Sequence, residues 1–172
     1  NHLSKTGAAN LGNLLNTLTK QGTQNLATLL NTLSEKGAIN FANIMNTLSE
    51  KGLTAIAQFF NNASESNIKQ LANLLKGLTK EHALLLGKII NNTHPEKALN
   101  MIHALSTLVT THPKLFDILS QQQPSSLQTL TTNMAKIPPD LFTGLTSLLK
   151  SQGFTLNQTL QVLNEFGKLM DK

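Results

Sequence analysis

The chain repeats itself every fifteen residues. The segment TLSEKG occupies residues 32–37 and returns unchanged at residues 47–52, and the opening NHLSKTG follows the same pattern. A repeat this short fixes the phase of every unit, so each residue takes a position from 1 to 15. Position 1 is held by Gly7, Gly22, Gly37 and Gly52, and the same step continues to Asn67, His82 and Lys97.

Four positions of the repeat are almost always apolar. Positions 5, 8, 9 and 12 hold an apolar residue in 27 of their 28 occurrences, and Thr93 is the exception. Their spacing of i, i+3, i+4 and i+7 places them on one face of an α-helix, within an arc of about 100°. Leu29, Leu30, Leu74 and Leu75 lie at the centre of this stripe, so we expect all four to be buried.

Polar residues mark where each helix starts and ends. Position 13 is Ser or Thr in five units, and these side chains cap helix N-termini. Pro95 falls at position 14, where proline suits the first helical turn. Each unit is therefore predicted to be a helix of about twelve residues with a connection of about three. This phase puts the glycine of position 1 in the first helical turn rather than after the last one.

Helices this short are unstable alone in water and must stack on one another. The sequence predicts an all-α fold, an α-solenoid of about eleven short antiparallel helices, two per hairpin, with divergent C-terminal capping helices. The expected ranges are 5–16, 20–31, 35–46, 50–61, 65–76, 80–91, 95–109, 113–122, 125–136, 139–152 and 156–170. One continuous helix is the alternative, but the repeated caps together with Gly77, Pro95 and Pro113 argue against it.

The pattern loosens towards the C-terminus. Residues 1–111 form the regular array, whereas residues 112–172 carry divergent repeats interrupted by the polar break at Gln121–Pro124 and by Pro138-Pro139. No stretch resembles a linker, so we expect one continuous domain. Because the chain starts inside the repeat pattern, we expect it to be a piece of a longer protein.

Composition argues against catalysis. The chain has no Cys, which removes cysteine nucleophiles and Cys-based metal sites, and its five His show no metal-binding spacing. The acidic residues near helix starts are explained by the positive end of the helix dipole. We therefore expect a non-enzymatic protein with no catalytic residues, no cofactor and no metal.

Composition also bears on partners and location. The net charge of +5 comes from fourteen scattered Lys, and Arg is absent, which weakens a nucleic-acid interpretation. No apolar run reaches the 18 or so residues that a membrane span needs. Few aromatic residues, no Cys and an Asn- and Lys-rich surface favour a bacterial exported or effector protein, linked to virulence, over a cytoplasmic one.

The remaining candidate for function is a row of side-chain amides. Positions 4 and 7 point away from the apolar stripe, and in alternate units they carry an amide at seven of eight places. We expect these side chains to form one exposed strip that binds another protein, possibly through an extended segment of it. The predicted partner-binding residues are Asn10, Asn13, Asn40, Asn43, Gln70, Asn73, Asn100 and His103.

Two other functions remain open at this stage. A nucleic-acid-binding array is one, because some helical-repeat proteins read bases with Asn, Ser or Thr. A structural spacer within a surface protein is the other, because Asn and Thr are also ordinary polar filler in duplicated units.

Overall fold

The structure, a computed structural model, describes residues 2–170 of the protein. Within that range it consists of eleven α-helices and one 3-10 turn, Pro95–Lys97, with no β-strand. The helices are α1 (Lys5–Thr17), α2 (Lys20–Thr32), α3 (Glu35–Thr47), α4 (Glu50–Asn62), α5 (Glu65–Gly77), α6 (Lys80–Asn91), α7 (Ala98–Thr111), α8 (Leu115–Ser120), α9 (Pro124–Met134), α10 (Pro139–Ser151) and α11 (Leu156–Leu169).

The observed helices confirm the predicted fold class. Every predicted helix is present, and its ends lie within about two residues of the predicted ones when the 3-10 turn is counted with α7. Similar helices, each packed on others nearby along the chain, two or three places away in the first unit, make this an all-α helical-repeat solenoid.

The chain divides into two compact units, Asn1–Leu99 and Asn100–Lys172. The first holds α1 to α6 and the 3-10 turn, and the second holds most of α7 together with α8 to α11. The predicted change of pattern after residue 111 falls inside the second unit. That residues 1–111 and 112–172 form one continuous domain stays a prediction.

The helices of the first unit start where Ser or Thr supplies a cap. The hydroxyl of Ser4 accepts a hydrogen bond from the backbone N–H of Gly7 at 3.0 Å. Thr19, Ser34 and Ser49 cap Gly22, Gly37 and Gly52 in the same way. The cap satisfies one of the N–H groups that a helix start leaves free. The prediction that these glycines lie in the first helical turn is confirmed.

The connections between helices are short and extended. After α1, Leu18 and Thr19 adopt backbone angles of φ −72°, ψ 141° and φ −72°, ψ 175°, and α2 begins at the next residue. Two extended residues carry the chain away from the helix it has left. Helices therefore pack most closely on the helix two or three places further on, as α1 does on α3 and α3 on α6, and successive helices do not pair as the expected hairpins.

The core of the first unit is built from the apolar stripe, with one departure at its start. Leu29, Leu74 and Leu75 are buried as predicted, but Leu30 is 48% exposed, so its predicted burial is wrong. Position 9 faces the helix two places earlier, and among the described residues α2 has no such neighbour. Leu15, at position 9 of α1, is 49% exposed for the same reason.

The second unit packs less regularly. Helices α9 and α11 lie against each other, and the backbone carbonyl of Asn133 approaches Gly167 so closely that a Cβ there would overlap it. Phe116, Phe142 and Leu163 are among its fully buried side chains. The helices of this unit differ in length and in capping, as expected for divergent repeats.

Candidate functional site

The predicted strip separates into two kinds of residue in the structure. Position 4 turns towards the neighbouring helix, whereas position 7 points outwards. Asn40 is 3% exposed, while Asn13 and Asn73 are exposed and Asn43 is half-buried. The eight residues therefore do not share one environment.

The amides at position 4 hold helices together. The Nδ2 group of Asn10 donates to the backbone carbonyls of Met45 and Leu48, at 2.8 and 3.0 Å. Both carbonyls lie at the C-terminal end of α3, where the helix leaves acceptors without an internal partner. The side chain thus joins α1 to the C-terminal end of α3 through two hydrogen bonds.

The same contact recurs thirty residues later. Asn40 Nδ2 donates to the carbonyls of Leu75 and Leu78 at 2.7 and 2.8 Å. Asn40 is buried and its two donor hydrogens are engaged, so the prediction that it lies on an exposed strip is wrong. The sequence shows that position 4 lies off the apolar stripe, but it does not show that the carbonyls of a neighbouring helix cover this position.

Position 4 has the same role in α2, a helix that the predicted strip leaves out. Asn25 of α2, outside the predicted strip, is buried and donates to the carbonyls of Phe60 and Ala63 at 2.8 and 3.0 Å. In the second unit, Asn100 is half-buried and donates to the carbonyl of Ala135 at 2.8 Å. Gln70 is also half-buried. Asparagine at position 4 is therefore a structural residue of the repeat.

Position 7 behaves differently. The side-chain amides of Asn13, Asn43 and Asn73 make no hydrogen bond to any residue in the described range 2–170. They lie at equivalent places on α1, α3 and α5, and these helices pack side by side in that order. The three residues form what we call the outer amide row: Asn13, Asn43 and Asn73.

His103 lies in the second unit and has its own partners. Its Nε2 atom is 2.7 Å from Thr143 Oγ1, and its ring meets Phe142 edge to face with centroids 6.4 Å apart. Burial lowers the pKa of His103 below 6.5, against smaller raising effects from the backbone of Pro139 and the charge of Asp140. A half-buried imidazole engaged with α10 has the character of a packing residue.

A second set of amides, at position 10, was missed by the sequence analysis. Asn46 Oδ1 accepts hydrogen bonds from the backbone N–H of Ser4 at 2.8 Å and from its hydroxyl at 3.0 Å. Its Nδ2 group donates to the carbonyl of His2 at 3.0 Å. Asn61 contacts Thr19, and Asn91 contacts Thr47 and Ser49, in the corresponding way. Each amide thus caps the start of the helix two places earlier.

The amide at position 10 explains the glycine at position 1. A Cβ on Gly52 would overlap Oδ1 of Asn91. The same overlap would occur at Gly7 with Asn46 and at Gly22 with Asn61. This pairing of Gly at position 1 with Asn at position 10 two units later is visible in the sequence and is the signal that could have revealed the contact.

Helix α5 replaces this contact with one of its own. Asn67 occupies position 1, and its Oδ1 atom accepts from the N–H and the hydroxyl of Ser64, both at 2.9 Å. The acceptor that Asn46 brings to Ser4 from another helix is supplied here from within the helix.

The described residues form neither a metal-binding cluster nor a membrane-spanning helix. No group of three or more His, Asp or Glu side chains is placed to hold a metal ion within residues 2–170. No helix in the same range has both the length and the apolar character to cross a membrane. Comparison with protein-family models, curated proteins and solved structures finds no match to the chain.

Proposed function

We propose that the protein is a non-enzymatic helical-repeat scaffold that binds another protein through the outer amide row. One observation carries the proposal. Amides at positions 4 and 10 are used to stack the helices, whereas those of Asn13, Asn43 and Asn73 recur at the same place without an internal partner among the described residues. Folding explains the first two sets and leaves the third available.

The spacing of the row suits an extended peptide. Neighbouring packed helices lie about 8–10 Å apart, and an extended chain advances about 3.3 Å per residue. Each asparagine would therefore meet about every third peptide group. A primary amide can donate to a carbonyl and accept from an N–H, so the row can bind peptide backbone without requiring charge.

The chemistry of the row favours protein over nucleic acid. Its three side chains are uncharged, and the chain has no Arg to form paired contacts with phosphates or bases. The origin inferred from composition, a bacterial exported or effector protein acting in virulence, belongs to the same proposal.

Unbiased capture with the whole chain, followed by quantitative binding of the captured protein to variants, tests the proposal. Asn43→Glu with Asn73→Glu should weaken binding about tenfold or more, because uncompensated charges would be buried at the contact. The matched control is Thr28→Glu with Gln58→Glu, which places two charges at position 7 of α2 and α4, where both side chains are exposed.

Circular dichroism must show that both pairs of variants keep the helical content and melting temperature of the parent. Equal loss of binding in the two pairs would contradict a role for the outer amide row. Binding of arbitrary RNA or DNA that weakens steeply with salt would instead support a nucleic-acid-binding array. Capture of no partner would favour a structural spacer.

A further inference from the structure

The first two helices, α1 and α2, leave exposed an apolar face that the corresponding residues of later helices bury. Leu15 and Leu30, at position 9, are about half exposed, whereas Met45 and Phe60 at the same position in α3 and α4 are fully buried. An open groove of about 310 Å³ lies beside Leu30. Its apolar lining includes Leu3, Leu11, Ala38, Ala42 and Met45.

Within residues 2–170, the polar groups of this edge also lack the hydrogen-bond partners that the same positions have in later helices. Asn16 and Asn31 are exposed and make no side-chain hydrogen bond within residues 2–170, although Asn46, Asn61 and Asn91 at the same position each cap an earlier helix. The carbonyls of Leu15 and Leu18 correspond to those of Met45 and Leu48, which accept from Asn10. No side-chain amide of the described residues reaches them.

We propose that this edge binds a further pair of helices of the same repeat. Each incoming helix would begin with a Ser or Thr cap for Asn16 or Asn31 and carry Gly at its third residue to admit that amide. Each would carry Asn at its sixth residue, whose Nδ2 group donates to the exposed carbonyls of α1 or α2. Its apolar face would cover Leu15 and Leu30.

The hydrogen-bonding groups favour a repeat helix over the same edge of a second copy. Two copies placed edge to edge would bring neither a Ser or Thr N-cap to Asn16 and Asn31 nor a position-4 amide to the carbonyls of Leu15 and Leu18. A repeat helix that packs on this edge as α1 packs on α3 supplies what the edge lacks, namely the donor at position 4 and the cap at position 13. The pairs α1 on α3 and α2 on α4 already show both contacts, and α3 on α5 shows the donor contact.

The test extends the full chain by one pair of units. A second copy of residues 4–33 is inserted between Leu3 and Ser4, which reproduces the natural Leu33-Ser34 junction. A covalent insertion is used because two short helices added as a free peptide must fold as they bind, which weakens the affinity. The two original leucines at position 9 then become internal.

The extended chain should unfold in a single transition with its thermal midpoint raised by about 5 °C. A matched extension with Asn10→Ala and Asn25→Ala in the added copy should gain clearly less. An unchanged midpoint, or a separate transition for the added helices, overturns the proposal. So does a parent chain that sediments as a dimer and becomes a monomer on Leu30→Gln, because the edge would then bind a second copy.

Discussion

Asparagine has a different role at positions 4, 7 and 10 of this repeat, and each role depends on the neighbouring helix that the position faces. At position 4 it donates to carbonyls, as Asn40 does to Leu75 and Leu78. At position 10 it accepts from an N-cap, as Asn46 does from Ser4. At position 7 it is solvated, as Asn73 is. One residue type therefore has to be judged by the groups that its neighbours present.

Two asparagines three residues apart give a direct test of these roles. Asn40→Ala removes two buried hydrogen bonds and leaves two carbonyls without their donor, so it should lower the free energy of unfolding by about 2–4 kcal/mol. Asn43→Ala, the matched control in the same helix, should change it by less than about 0.5 kcal/mol. Chemical denaturation measures both values, and equal losses would show that the hydrogen bonds of Asn40 contribute little.

Glycine at position 1 should be required only where an amide lies over it. Gly52→Ala should destabilise by about 1–3 kcal/mol, because the new Cβ overlaps Asn91 Oδ1. At Gly37 the residue at position 10 is Lys76, and no amide lies over the glycine; the closest atom to a Cβ there is Cδ2 of Leu33 at 3.0 Å, the end of a flexible side chain that can shift. Gly37→Ala should therefore be neutral or stabilising, since Ala favours a helix over Gly by about 1 kcal/mol.

A double variant separates the overlap from other effects at Gly52. If Asn91 is the obstacle, Asn91→Ala should make Gly52→Ala much less costly, and the two changes should couple by about 1 kcal/mol or more. Additive losses would place the strain elsewhere, for example at Leu48, whose Cδ2 atom lies 3.1 Å from the same Cβ position.

Among the elements, helix limits were predictable from sequence because their causes are local. Ser49 caps Gly52 three residues away, and Pro95 opens the 3-10 turn before α7. The packing of each helix was less predictable. Asn10 finds its acceptors 35 and 38 residues downstream, and carbonyl groups carry no side-chain signature that a sequence can show. Sequence alone therefore does not separate the outer amide row from the buried asparagines of position 4.

The adjacent leucines of α2 show that burial depends on which helices surround a residue as well as on its place in the apolar stripe. Leu29 is fully buried and Leu30 is 48% exposed, although both belong to the apolar stripe. Leu29→Ala should cost about 2–5 kcal/mol, whereas Leu30→Ala should cost less than about 1 kcal/mol. Thermal or chemical unfolding measures the loss of stability in each variant, and comparable losses would mean that Leu30 is covered in solution.

At the scale of the whole molecule, side-chain hydrogen bonds join α1 to α3, α2 to α4, α3 to α5 and α4 to α6, so the stability of each of these helices depends on its neighbours. A helix inside the first unit is held from both sides, while α1 and α2 are held only by helices that follow them. Repeat arrays of this kind have stabilities that sum over units and their interfaces. Local opening should therefore begin where an interface is unfilled.

Native-state hydrogen exchange should reveal this gradient. Helix α4 has six buried residues and α1 has two, so amides of α1 and α2 should exchange through local opening while those of α4 approach the rate set by global unfolding. Leu30→Gln should leave the order unchanged because that side chain is already half exposed. Asn40→Ala should speed exchange in α3 and α5, which it joins. Equal protection across α1 to α4 would show that the first unit opens as a single block, and the stapling asparagines would then transmit stability along the array rather than confine it to neighbouring helices.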